Sequence, residues 1–200
     1  EVSSRIIAER LDANIADCVV SELGDHLHDV RSKVQAFMAK AGKRFVIQEF
    51  PTGSLRVSDV RRVLERYKAK GTKFDLVIVD YADLMAPERM TDNSMENSKS
   101  VYVNLRGLAM EEDVAILTAT QTNRDGFKAA VARAEHVADD FNKIRIADVV
   151  ISINKTEEEA KAKRARLFFA AVRNSASGFT IMIEQDIDRA KFITKVIGSE

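Results

Sequence analysis

Leu76-Val77-Ile78-Val79-Asp80-Tyr81 is the stretch from which the fold can be read. Four consecutive apolar residues give a strand that is hydrophobic on both sides of its pleat. Such strands are normally central in a parallel sheet covered by helices. The run ends in one carboxylate, which places Asp80 at the carboxyl edge of the sheet, where open α/β sheets take their ligands. An Asp at that edge can hold Mg²⁺ through water while the metal bridges nucleotide phosphates. It can equally cap the turn that follows the strand.

Outward from this strand, helical and strand patterns alternate. Ile7, Leu11 and Ile15 recur at four-residue steps and predict a helix over 3–15. A second helix is expected over 21–41, with Val30, Val34, Phe37 and Met38 as its apolar stripe and Gly42 as a stop. Residues 44–50 read as a short strand, and Val57, Val60, Leu64 and Tyr67 as one face of a helix closed by Gly71. Beyond Asp80 come a polar loop over 86–95, a helix marked by Val101, Leu105 and Leu108, and a strand over 115–121. Residues 122–145 are long, mixed in charge and weakly patterned. A third buried strand is expected over 147–153 and a charged connection over 156–163. A hairpin of 167–172 with 180–184 turns across 174–178, and an edge strand follows at 191–196. Alternation followed by strand after strand predicts an α/β domain over 1–200: a mostly parallel sheet flanked by helices, extended by antiparallel strands at its C-terminal edge.

Composition narrows the function. Of the 200 residues, 46% are hydrophobic and 31% charged, as in an ordinary globular chain. No apolar run is long enough to span a membrane. The single cysteine, Cys18, forms no internal disulfide and excludes a cysteine-built zinc site. Basic and acidic residues balance at 31 each. That argues against a stand-alone nucleic-acid coat protein, but not against a ring whose subunits each present a loop to one strand.

Two further strand tips carry chemistry. Gln121 ends Leu117-Thr118-Ala119-Thr120-Gln121, and an uncharged amide there can hydrogen-bond a terminal phosphate; a plain polar strand end is the alternative. Arg173 ends Ala170-Ala171-Val172-Arg173, and an arginine on a rigid tip can stabilise charge on a phosphoryl group in a neighbouring subunit; a surface arginine is the alternative.

In order and spacing these pieces resemble the ATPase domain of DnaB-like hexameric replicative helicases, particularly phage ones. The carriers are Asp80-Tyr81-Ala82-Asp83-Leu84-Met85, Gln121-Thr122-Asn123-Arg124, Ala147-Asp148-Val149-Val150, and Arg173-Asn174 with Gly178. The resemblance implies a RecA-like P-loop NTPase core that uses Mg²⁺ and ATP, with Asp80 and Tyr81 at the nucleotide. It implies a homo-hexamer on single-stranded DNA in a bacterial or phage-infected cytoplasm, with a primase as a possible partner. It makes Glu1 the glutamate that polarises the attacking water, Gln121 the phosphate sensor and Arg173 the finger. DNA contact is expected from two loops, 87–97 and 125–145, with Arg124, Lys128, Arg133, Lys143 and Arg145 as the candidate cations for phosphate contact.

Two departures stand out. No GxxxxGK[ST] occurs, and Gly42-Lys43-Arg44 lacks its essentials. Since the family places that loop before the position of Glu1, the expectation is a chain cut downstream of it and inactive by itself. Ala171 stands where family members often carry a lysine, which puts a two-pronged contact in doubt. Two other functions stay open: a RecA-like recombinase or clock-type ATPase without unwinding, and an inactive adaptor or loader.

Overall fold

The computed structural model describes residues 2–41, 45–121 and 141–200. It comprises two compact units, one of residues 1–49, 155–167 and 180–200, the other of residues 50–154 and 168–179.

The second unit holds the parallel sheet. Strand β1 (Leu76–Val79) pairs in parallel with β2 (Ala115–Thr118), with Val77 opposite Ile116 and Val79 opposite Thr118. Helices α3 (Val57–Lys68) and α4 (Ser94–Glu112) join them. Val57, Val60 and Leu64 from α3 meet Val101, Tyr102, Leu105 and Leu108 from α4 in one buried cluster with Val79, against which Val77 and Ile116 pack. The period of 3.6 in each helix and of 2 in β1 brings these residues to a single face. Asn93 opens α4 by accepting from the amides of Met95 and Glu96 at 3.0 and 3.2 Å.

The other face of β1 and β2 is open: Leu76, Ile78 and Leu117 are 48%, 61% and 56% exposed. Among the described residues the two-sided apolar strand is therefore covered on one side. A short helix α5 (Phe141–Ile146) leads into β3 (Val149–Asn154), whose Val149, Ile151 and Ile153 are likewise exposed. Strand β4 (Arg164–Val172) is shared, its first four residues falling in the first unit and the rest in the second. The second unit also holds the hairpin turn after β4. Gly178, at φ 85°, donates its amide to the Phe169 carbonyl at 2.8 Å, and Phe169 stacks on Phe179 at 4.4 Å between centroids. Only glycine takes that backbone region without strain.

In the first unit, β5 (Thr180–Asp186) pairs antiparallel with β6 (Lys191–Ser199), with Ile183 opposite Val196. Ile183 on β5 is fully buried. Helix α1 (Ser4–Ala16) buries Ala13 and Ala16 and is tied to the start of β6 by Lys191 Nζ on Asp17 Oδ1 at 2.6 Å.

Three expectations change. Residues 45–50 form no strand, and Phe45 is 56% exposed; an apolar run without a partner ladder does not become a strand. The helix expected from residue 21 begins at Leu27 as α2 (Leu27–Ala41), after a 3₁₀ turn over Val20–Glu22; Gly24 and Asp25 disfavour continuous helix there. The charged connection after β3 contains a short helix, α6 (Glu157–Lys161). Thr156 and Glu159 cap each other at 3.1 and 2.7 Å.

Candidate active site

The site is built where β1 and β2 end. Asp80 follows the last residue of β1 and is exposed. The peptide joining it to Tyr81 is cis. The turn after Asp80 is held by Thr118 at the tip of β2: its hydroxyl accepts from the Ala82 amide and donates to the Val79 carbonyl, both at 2.9 Å. Gln121 comes from the same β2 tip, and its Nε2 donates to the Tyr81 hydroxyl at 3.1 Å. The residue types singled out in the sequence thus meet: Asp80, Tyr81 and Gln121 share one edge of the parallel sheet.

Among the described residues, no group of three or more His, Cys, Asp or Glu is gathered for a metal. One exposed carboxylate at a strand tip suits Mg²⁺, which keeps several waters and needs one or two carboxylates besides phosphate oxygens. It suits no ion that requires a full protein cage.

A second cluster lies behind this edge. Asp83, on the 3₁₀ turn Ala82–Leu84, accepts on Oδ1 from the Tyr102 hydroxyl at 2.8 Å and from Lys143 Nζ at 2.6 Å. Its Oδ2 accepts from the Thr120 hydroxyl at 2.7 Å. The Lys143 side chain is 8% exposed and that of Asp83 22%. Lys143 Nζ also sits 5.3 Å from the centre of the Tyr102 ring. Burial alone would raise the Asp83 carboxyl. Hydrogen bonds from Lys143, Thr120 and Tyr102, with the Lys143 charge, outweigh it and hold the group below the usual carboxylate range. Lys143 was expected to track a DNA backbone; its ammonium is instead buried against Asp83.

Arg173, the expected finger, follows β4. Its Nε donates to Asp148 Oδ1 at 2.6 Å, and its Nη2 to the carbonyls of Arg145, Ile146 and Ala147 at 3.0, 3.3 and 3.3 Å. Arg106 Nη2 reaches the same Asp148 oxygen at 3.0 Å. These hydrogen bonds, that of Arg106 foremost, overcome desolvation and hold the Asp148 carboxyl low. The guanidinium of Arg173 therefore caps the last carbonyls of α5 within its own subunit, a favourable place for a cation.

Arg145 is exposed on α5. Of the loop expected over 87–97, residues from Ser94 onward form the first turn of α4, and Thr91 and Asn97 brace the rest through Thr91 N on Asn97 Oδ1 at 2.9 Å. Glu1, Arg124, Lys128 and Arg133 lie outside the described residues. Sequence reasoning missed Thr118, Thr120, Asp83 and Tyr102. The alternation Thr118-Ala119-Thr120 was the available signal, since it sends both hydroxyls to one side of the strand.

The family profile of the DnaB-like helicase C-terminal domain matches residues 1–194. A DnaB-like replicative helicase of Enterobacteria phage T4 is 25% identical over 82% of this chain, and the chain spans about a third of that protein's length, 36%. A solved structure described as an ATPase domain superposes with a TM-score of 0.80 at 15% identity, covering 98% of this chain and 72% of that one. A DnaB-like replicative helicase described with its interactions with primase superposes with a TM-score of 0.76 at 16% identity, covering 96% and 48%. Both likenesses speak to the fold, which is α/β and RecA-like.

Proposed function

Because this chain belongs to the DnaB-like helicase C-terminal domain family, we propose that residues 1–200 work as one RecA-like motor domain, hydrolysing ATP to move a homo-hexameric ring along single-stranded DNA. The observation that carries this reading is the shared edge of Asp80, Tyr81 and Gln121, joined by the 3.1 Å contact of Gln121 Nε2 on the Tyr81 hydroxyl.

Mg²⁺, when bound, supplies charge neutralisation at the phosphate oxygens. The protein's own part is positioning. Asp80, at the strand tip, would hold the metal through water. Gln121 can turn its amide from Tyr81 to a terminal phosphate and so carry its presence or loss into the segment that follows. Arg145, exposed on α5, offers a phosphate-backbone contact. Lys143 has no such role in this reading. A primase is a candidate partner of the whole protein, by analogy with the helicase whose structure is described with primase.

Arg173 is the discriminating residue. As a finger it acts on the neighbour's nucleotide; as the brace seen here it acts on α5 of its own chain. In the full-length protein, Arg173→Ala is expected to assemble and bind nucleotide yet hydrolyse it about 10³-fold more slowly. Asp80→Asn is expected to be inactive as well. Mixed rings of the two variants contain interfaces with an intact site and an intact arginine, so hydrolysis returns. If mixed rings form and rates merely add, Arg173 is a brace and the ring mechanism loses this support. Retained hydrolysis in Asp80→Asn alone makes Asp80 a turn cap and overturns the assignment of the edge.

A further inference from the structure

The function proposed above leaves Asp83 unused, although one carboxylate there gathers three elements. Its own turn begins two residues after Asp80. Its Oδ2 holds the hydroxyl of Thr120, the residue before Gln121. Its Oδ1 holds Lys143, on the helix that carries Arg145. Tyr102 on α4 closes the group from the hydrophobic core. Asp80 and Gln121 are each exposed on tips that could otherwise move independently. Asp83 is the point where their supports are joined, with Lys143 buried on one oxygen, by charge-assisted bonds that are short and directional.

We propose that Asp83 is a positioning residue for nucleotide hydrolysis. Through Thr120 it fixes Gln121 against the Asp80 turn, and through Lys143 it ties that arrangement to α5. The proposal rests on the reading of Asp80 and Gln121 as the nucleotide edge. It adds a physical route by which the state of that edge reaches α5 and its exposed Arg145: the two are held by opposite oxygens of one carboxylate, so displacement of Thr120 tilts the partner of Lys143. A bridge of this kind transmits a shift because the Lys143 side, 8% exposed, cannot relax into solvent.

The test uses the full-length protein and three variants, each compared with wild type for nucleotide KM, kcat, stimulation by single-stranded DNA, and ring assembly. Asp83→Asn keeps the size of the side chain and removes its charge. It is expected to lower kcat by about 100-fold, the scale of an ångström-sized misplacement, with KM unchanged and DNA stimulation lost. Thr120→Val removes only one hydroxyl and leaves the ion pair. It is expected to lose DNA stimulation in the same direction with ring assembly intact, which keeps the question open to decision if Asp83→Asn does not fold. Asp83→Glu, which can still reach one partner, is expected to recover part of the stimulation. Asp80→Asn serves as the reference. If it abolishes hydrolysis while assembled Thr120→Val and Asp83→Asn keep wild-type kcat and DNA stimulation, Asp83 is purely structural and the proposal fails. If Asp80→Asn itself hydrolyses normally, the failure lies with the reading of the edge. An equal fall of basal and DNA-stimulated rates in Thr120→Val also overturns the coupling role.

Discussion

Helix α5 is held at two points by the same chemistry, a carboxylate with basic side chains, in two different solvents. At Asp83 the partner is Lys143, with 8% of its side chain exposed. At Asp148 the partners are Arg106 and Arg173, with the Asp148 side chain 62% exposed. Burial changes what the two clusters can do. An ion pair in water is worth about 0–1 kcal/mol and exchanges readily. A buried pair does not add much stability over an apolar equivalent, but removal of one partner strands a charge and costs about 3–5 kcal/mol. The Asp83 cluster is thus suited to hold geometry, and the Asp148 cluster to release a residue. The contrast also reconciles the finger with the brace, since Arg173 can leave Asp148 for a neighbouring subunit at small cost.

The largest effect follows from removing the buried carboxylate. Asp83→Ala leaves the Lys143 ammonium without its counter-charge and Thr120 and Tyr102 without an acceptor. The expected loss of unfolding free energy is about 3 kcal/mol, at the low end of the range for buried pairs because 22% of the Asp83 side chain still meets water. Denaturant titration of matched samples measures it. A loss under about 1 kcal/mol would erase the distinction between the clusters.

Next in size is the response to acid. Both carboxyls are held low, so each contributes stability that is present above the unfolded-state value of about 3.9 and is lost as pH falls through the lower folded-state value. Protonation of Asp83 removes the counter-charge of the buried Lys143 side chain, whereas protonation of Asp148 releases arginines that are more exposed, 36% and 44%. The slope of stability against pH below about pH 4 should therefore diminish markedly in Asp83→Asn and hardly at all in Asp148→Asn. Equal slopes in the two variants would contradict the contrast.

The contrast was only half legible in the sequence. Helices α1, α3 and α4 and strand β1 follow directly from apolar spacing, because their burial depends on neighbours on the same element. Asp80 and Gln121 could be placed at strand ends because a strand tip is defined by the strand. The burial of Lys143 was not legible, because a lysine in a mixed-charge stretch looks solvated until its partner is known, and Asp83 lies 60 positions away. Arg173 was recognised as a chemically able residue, but its seat on α5 depends on carbonyls of 145–147 that no spacing rule connects to it. The strand expected at 44–50 failed for the reverse reason: its apolar residues were visible, and the lack of a ladder partner was not.

The smallest effect tests the exposed side of the comparison. Asp148→Asn removes a charge but keeps an oxygen that can accept from Arg173 Nε, and the three carbonyl contacts of Arg173 Nη2 remain. Arg106 loses its ion pair but still donates to the Ile146 carbonyl. The expected change in stability is about 0.5 kcal/mol or less, and it should vanish in about 1 M salt, where the screening length falls to about 3 Å. More of the Asp83→Ala deficit should persist in that salt, because a partly buried pair is screened less. Hydrolysis provides the second readout. If Arg173 must leave Asp148 to reach a neighbouring subunit, weakening the intramolecular hold costs the assembled ring nothing, and Asp148→Asn should hydrolyse ATP at the wild-type rate or slightly faster. A brace predicts the opposite sign, because loosening Arg173 then loosens α5. A fall in rate with unchanged ring assembly would place Asp148 with Asp83 among the groups that hold geometry, and exposure would no longer separate the two clusters.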